Sequence, residues 1–147
     1  MLGAEKYSVA VDKMDLIKIT PNKERAKSIL EMVSLIEERI KIQDKVKMAS
    51  LVISDYYEII KELITAVLLI DGYKTLSHKD LLDYLKEKYK NFSQNEISLL
   101  DNLRVLRNRV AYEGHKIESS YLSRNESLFK QIIEKIKRIL EKRLRWK

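Results

Sequence analysis

The chain has 147 residues, of which 35% are charged, with a net charge of +7 and no cysteine. The absence of cysteine excludes structural disulfides, thiolate metal sites and cysteine nucleophiles. Three glycines and one proline, with long runs of Ile, Leu, Lys and Glu, favour helices over turn-rich β structure. The positive charge favours anionic partners such as phosphates without choosing among them. We therefore predict a single all-α domain of ordinary size.

The cellular setting is predicted from two features that the sequence lacks. No apolar run reaches the roughly 20 residues that a membrane span needs. The first residues also lack the basic and then apolar layout of a signal peptide. We expect a cytoplasmic protein with no membrane partner, and heavy use of Lys, Glu and Ile without Cys fits a thermophile as its source.

Residues 1–20 carry apolar side chains without a sustained helical period. We predict that they form an N-terminal arm or a short helix, followed by a helical-bundle domain over 21–147. Thr20 and Pro21 predict the start of the first long helix, because threonine caps helices and proline is tolerated at the first helical position. This helix is expected to end just before Asp44, which could cap the next one. Its core-facing stripe consists of Ala26, Ile29, Leu30, Val33, Ile36 and Ile40.

The second long helix, over roughly 45–71, is the most apolar part of the chain. Its apolar side chains cover much more than a third of the circumference, which predicts a helix covered on two sides, as a central bundle helix or a subunit interface would be. We predict a homodimer buried along this helix or along the helix that starts at Ser93. Asp71 and Gly72 should end the second helix, with glycine in the left-handed conformation at the C-cap.

Ser77 predicts the start of a third, shorter helix, with Asp80 at the position where a capping box has its acidic partner. The inward-facing residues of this helix are Leu81, Leu82 and Leu85. His78 lies in its first turn. A capping or surface role is favoured over metal ligation because no second ligand is spaced to join it.

The spacing of Ser93 and Glu96 is that of a capping box and predicts the start of a fourth helix, which Gly114 should end or bend. Its buried stripe consists of Leu99, Leu103, Leu106 and Val110. Ser123 and Glu126 repeat the capping-box spacing and predict the start of the last helix. That helix should pack through Leu128, Ile132, Ile133, Ile136, Ile139 and Leu140. The pattern as a whole predicts an up-and-down bundle of about five helices.

The fourth helix carries the main candidate for chemistry. Arg104, Asn108 and His115 lie within roughly 60° of one another on the side away from the apolar stripe, with Arg107 on its flank. Such a face could bind phosphate, or its arginines could simply be solvated. The basic C-terminal stretch KIKRILEKRLRWK also leaves two alternatives open, complementing a helix dipole or contacting nucleic acid. Gly-rich phosphate loops, zinc spacings and a nucleophile elbow are absent, which excludes most familiar enzyme classes.

Two segments together resemble a known family. The run SDYYEIIKELITAVLLIDGYKTLSHKDLLDYL resembles the middle of HEPN domains, the higher eukaryote and prokaryote nucleotide-binding family. LRVLRNRVAYEG resembles that family's next helix, whose signature is an Arg, a polar residue and a His four to six residues after the Arg. The resemblance covers about residues 21–143. It implies a helical bundle, usually dimeric, in which the Arg and His of both subunits meet in a shared cleft. Many members are ribonucleases that need no metal or other cofactor, and others pair with small nucleotidyltransferases in toxin–antitoxin modules.

The chain departs from this signature at the histidine. Arg107 and Asn108 match its first half, but Tyr112 stands where the family has the His. Arg109 and His115 have a permitted spacing, although they lie about 120° apart on a continuous helix. Arg107 and His115 are closer, about 80° apart, and we predict that they form the active pair.

The sequence thus predicts a HEPN-like nucleotide- or RNA-binding protein. It could be the toxin-like partner of a nucleotidyltransferase or a metal-independent endoribonuclease, with a catalytically inactive nucleotide-binding or structural dimer as the alternative. As a ribonuclease, it would use Arg107 to stabilise the phosphorane and His115 to transfer protons, while Asn108 and Tyr112 contact the substrate. Arg104 would add a phosphate contact. No clustered acids or histidines in the sequence suggest a catalytic metal.

Overall fold

The computed structural model describes residues 14–145 and shows an all-α bundle, as predicted. In chain order the helices are α1 (Lys23–Ile42), α2 (Ala49–Asp71), α3 (His78–Lys88), α4 (Gln94–Glu113) and α5 (Ser119–Arg145). Two short strands, β1 (Ile17–Lys18) and β2 (Tyr73–Lys74), pair antiparallel. None of the helices in this part of the chain is long and apolar enough to cross a bilayer.

The predicted arm or short helix over 1–20 falls largely outside the described residues. Within them, β1 belongs to this segment, and its pairing with β2 fixes the chain beside the end of α2. The prediction that Thr20 caps the first helix is wrong. Asn22 is the N-cap, and its side chain accepts a hydrogen bond from the Arg25 backbone N–H at 3.0 Å. Asparagine caps at least as well as threonine, and the Asn22 backbone N–H is also anchored on the Leu69 carbonyl of α2.

The start of α2 also differs from the prediction. The Asp44 side chain accepts hydrogen bonds from the backbone N–H groups of Val46 and Lys47 and holds a turn, so α2 begins at Ala49 instead of near residue 45. The predicted end is confirmed, because Gly72 has a left-handed φ of 90° after Asp71.

The position of α2 at the centre of the bundle explains its apolar character. It packs against the four other helices. Its buried residues lie around most of its circumference, including Ile53, Tyr56, Tyr57, Leu63 and Leu68. The prediction of a helix covered on two sides is confirmed, and the cover comes from the same chain. The homodimer stays a prediction, and Leu51, at 55% exposure, is the large apolar side chain that α2 leaves exposed.

The capping residues in the sequence predicted the starts of α3 and α4 correctly. The Ser77 side chain accepts from the Asp80 backbone N–H, and Ser93 and Glu96 form both hydrogen bonds of a capping box. Gly114 ends α4 with a left-handed φ of 65°. The predicted stripe of α4 faces the core, with two members buried and two partly buried. Buried are Leu99 and Leu103, and partly buried are Leu106 and Val110.

The prediction that Ser123 and Glu126 start the last helix is wrong. Because α5 already begins at Ser119, Ser123 lies within it, and its hydroxyl donates to the Ser120 carbonyl. The carboxylate of Glu126 is used by tertiary partners, accepting from the Tyr56 hydroxyl at 2.6 Å and pairing with Lys45 at 2.7 Å. The predicted apolar face of α5 is confirmed, except that Leu128 is only partly buried.

Candidate anion-binding site

The packing of α4 against α2 and α3 brings side chains from three helices together. Leu99, Leu100 and Leu103 are buried in the core, which fixes the rotation of α4 about its axis. One turn further along, Arg104 and Arg107 approach the side of the bundle formed by α2 and the start of α3. Both are partly buried.

Tyr57 of α2 is the centre of this region. Its ring is buried, and the guanidinium carbon of Arg107 lies 5.8 Å from the ring centroid. The ring of His78, at the start of α3, lies 5.9 Å from the same ring and is tilted by 49°. Lys61, one turn after Tyr57 on α2, adds a further positive charge near His78. We refer to Tyr57, Lys61, His78, Arg104 and Arg107 as the Tyr57 cluster.

The cations of this cluster differ in how well their charges are compensated. Arg104 pairs with Asp101 at 3.0 Å. Lys61 pairs with Glu58 at 2.8 Å and lies 3.5 Å from Glu62. Arg107 has no ion pair or hydrogen bond to any residue between 14 and 145, and its contact is with the Tyr57 ring. A partly buried guanidinium without a counter-ion attracts anions strongly, because water only partly screens its charge.

Burial and the charges of the cluster together shift two pKa values. Burial raises the pKa of Tyr57 to about 12, although the charges of Arg104 and Arg107 act in the opposite direction. Burial also lowers the pKa of His78 below its usual value of 6.5, and the charges of Lys61 and Arg107 lower it further. Both effects favour the uncharged imidazole, which is the form that can accept a proton.

The residues that the sequence singled out are only partly brought together. Arg104 and Arg107 join the cluster, and Asn108 lies beside them, partly buried. Tyr112 is 79% exposed at the end of α4. His115 follows Gly114, and its backbone N–H donates to the last turn of α4. Over the described part of the chain, no side-chain contact joins Tyr112 or His115 to Arg107.

Sequence reasoning missed Tyr57, Lys61 and His78. The signal for His78 was its place in the first turn of α3, which was interpreted as a capping or surface position. Ser77 is in fact the cap, and the His78 ring packs partly buried against Tyr57. Its proximity to Arg107 depends on how α3 packs beside α4, which no local pattern encodes.

Two further observations bear on the chemistry of the site. Within residues 14–145, no three His, Asp or Glu side chains cluster closely enough to hold a metal ion. Comparison with protein families, with curated proteins and with solved structures finds no match to this chain. The functional interpretation therefore depends on the arrangement of the cluster itself.

Proposed function

We propose that the protein binds nucleotides or RNA through their phosphates, at the face of α4 that carries Arg104, Arg107 and Asn108. The observation that supports this most strongly is the partly buried guanidinium of Arg107 without a carboxylate partner. A phosphate would supply the missing counter-ion and accept two parallel N–H hydrogen bonds from it.

The side chains around Arg107 could add contacts to a bound phosphate. Arg104 and Lys61 act on the same region, with their own charges paired to Asp101 and to Glu58. Asn108 follows Arg107 directly and can donate its amide N–H to a phosphate oxygen. The HEPN resemblance supports the same residues, since Arg107 and Asn108 match the first half of that family's signature.

The test compares two arginines on the same helix. Arg107→Ala and Arg109→Ala remove the same charge, but Arg109 is exposed and lies outside the cluster. We expect Arg107→Ala to weaken binding of a labelled single-stranded RNA about tenfold or more, because it removes charge-assisted hydrogen bonds. Arg109→Ala should change the affinity about twofold through net charge alone. Fluorescence anisotropy over a range of salt concentrations measures both, and equal losses in the two variants would contradict the proposal.

A second candidate function is metal-independent RNA cleavage, and the position of His78 favours it. His78 would take the proton from a ribose 2′-hydroxyl, and the freed oxygen would attack the adjacent phosphorus. The bond from phosphorus to the 5′-oxygen would break, and that oxygen would take a proton from water. Arg107 would stabilise the charged phosphorane. The products would be a 2′,3′-cyclic phosphate and a free 5′-hydroxyl.

The two histidines of the chain allow a direct comparison. We expect purified protein to cleave single-stranded RNA in excess EDTA, and His78→Ala to slow cleavage about 100-fold or more. His115→Ala should retain activity if His78 is the base. Loss of activity in His115→Ala instead would favour the pair predicted from the sequence, Arg107 with His115. Activity abolished by EDTA alone would rule out both versions.

The family resemblance also supports a role as the toxin-like partner of a small nucleotidyltransferase. An adjacent gene for such an enzyme, and a complex formed when both proteins are produced together, would support this role. Two separate proteins on size-exclusion chromatography would count against it. A catalytically inactive dimer remains the alternative if RNA binds at Arg107 but is not cleaved.

A further inference from the structure

A second concentration of positive charge lies at the opposite end of α3 from His78. There the end of α3 and the connection to α4 face the C-terminal half of α5 and enclose a groove of about 460 Å³. Its polar lining consists of Tyr89, Asn91, Lys135, Arg138, Lys142 and Arg143. We refer to it as the α3–α5 groove.

Two of the cations in the groove are committed to partners within the chain. Lys135 pairs with Glu96 at 2.8 Å and donates to the Asn91 carbonyl at 3.0 Å. Arg143 donates to the carboxylate of Asp71 and to the Tyr89 hydroxyl. These contacts hold the wall of the groove in place and pair the carboxylates of Glu96 and Asp71.

The other two cations, Arg138 and Lys142, have no ion pair or hydrogen bond to the residues that the structure describes. They lie four positions apart on α5 and therefore on the same side of that helix. Glu141 is exposed beside Lys142 but pairs with neither. The groove thus presents two uncompensated charges, next to Lys135 and Arg143, whose charges are already paired.

The surface around the groove indicates what kind of molecule could occupy it. A protein or membrane surface would need apolar anchors. The large exposed hydrophobic residues in the described part of the chain lie elsewhere, and none is on α3 or α5. A groove that presents two cations without a described carboxylate partner instead suits a chain of phosphates, bound without regard to base sequence.

We propose that the α3–α5 groove is a second binding site, separate from the Tyr57 cluster, for the phosphodiester backbone of single-stranded nucleic acid. Arg138 and Lys142 each contact one phosphate. Glu96, which is in contact with the groove through Lys135, precedes Arg107 by eleven residues on α4, or about 16 Å of helix. A long strand could therefore contact both sites, while a short one would occupy either.

The test uses a labelled oligouridylate and two double variants with the same change in charge. In Arg138→Ala/Lys142→Ala the groove loses both free cations. The control, Lys41→Ala/Lys47→Ala, removes two exposed lysines at the end of α1 and in the turn after it. The groove variant should bind about tenfold more weakly. Its slope of log affinity against log salt concentration should become shallower by about 1.4, or about 0.7 for each lost phosphate contact. The control should keep the salt dependence of the unaltered protein.

The outcome separates this inference from the proposal for Arg107. If the groove variant and the lysine control behave alike, the groove is not a binding site, whatever Arg107→Ala does. If the groove variant loses binding while Arg107→Ala does not, the groove stands and the Tyr57 cluster fails. If the groove variant loses binding to anionic phospholipid vesicles but keeps binding to oligouridylate, the inference is also overturned.

Discussion

Arg107 differs from Arg104 and Arg143 in what surrounds its charge. Arg104 and Arg143 each have a carboxylate, whereas Arg107 has an aromatic ring. A cation–π contact is worth about 1 kcal/mol at a partly exposed site, which is little compensation for a guanidinium that is partly removed from water. We therefore expect Arg107 to contribute little to folding, which would suit a residue whose proposed partner is a phosphate.

This difference predicts opposite effects of two arginine substitutions on stability. Arg107→Met should change the free energy of unfolding by less than about 0.5 kcal/mol. Arg143→Met should lower it by about 2 kcal/mol, because the Asp71 side chain is only 13% exposed and would lose its charged partner. Urea denaturation of the two variants measures the difference. A large loss in Arg107→Met would show that Arg107 has a structural role.

The sequence identified part of the candidate site because that part lies on one helix. Arg104, Arg107 and Asn108 could be placed on a common face from helical geometry alone. Tyr57 and His78 come from α2 and α3, and they reach Arg107 only after the three helices have packed. The contacts of the Tyr57 and His78 rings were therefore not predictable from spacing.

At the level of helices, the start of α4 has an unusual anchor in Glu96, which is buried. Its carboxylate accepts from the Ser93 backbone N–H and from Lys135, both at 2.8 Å, and from Gln131 at 3.1 Å. Burial raises the pKa of Glu96, but the hydrogen bonds from Lys135, Ser93 and Gln131 outweigh burial and leave the pKa below its usual value of 4.5. Glu96 thus joins the start of α4 to α5.

A lowered carboxyl pKa determines the pH range in which Glu96 stabilises the fold. Its contribution is present above about pH 4.5 and is lost as the pH falls through the folded-state pKa. We expect Glu96→Gln to lower the free energy of unfolding by about 2 kcal/mol at pH 7, with the difference disappearing in acid. Glu113→Gln, an exposed position at the other end of α4, is the control. A deficit in Glu96→Gln that is the same at all pH values would contradict this account.

Helix boundaries show where local signals are sufficient. Ser77, Ser93 and Gly114 mark boundaries that were predicted correctly, and their capping hydrogen bonds involve only nearby residues. The signals at Asp44 and Glu126 failed for different reasons. Asp44 stabilises a turn instead of a helix start, and Glu126 is recruited by side chains far away in sequence. A capping pattern therefore fails where its polar group stabilises a turn or a tertiary contact instead of the helix start, whereas Glu96 does both.

For the molecule as a whole, the all-α bundle followed from composition and apolar periodicity, but the predicted homodimer needs another basis. Most of the apolar surface of α2 is covered within the chain, although Leu51 is 55% exposed, so the helix that starts after Ser93 is the better candidate. On α4, Val105 is 45% exposed and Tyr112 is 79% exposed. They lie seven residues apart and therefore on the same outward side. We expect any two-fold interface to use this side of α4.

Light scattering at micromolar concentration tests this prediction. The unaltered protein should be a dimer, and Val105→Asp should be a monomer because it places a charge in the interface. Leu76→Asp is the control, since Leu76 is 90% exposed and lies between β2 and α3, away from α4. If the unaltered protein is a monomer, the predicted dimer is wrong.

A phosphate bound beside Arg107, within the Tyr57 cluster, would change the pKa of the His78 ring. The chain has only two histidines, so NMR titration can follow the His78 ring with His115 as the internal control. In the free protein, burial and the charges of Lys61 and Arg107 hold the pKa of His78 below 6.5.

A bound phosphate would offset those positive charges and favour the protonated imidazole. We therefore predict that saturation with oligothymidylate, which has phosphates but no 2′-hydroxyl to be cleaved, raises the pKa of His78 in the unaltered protein and leaves it unchanged in Arg107→Ala. A His78 pKa that stays the same, or falls, when the unaltered protein is saturated would contradict binding at this site.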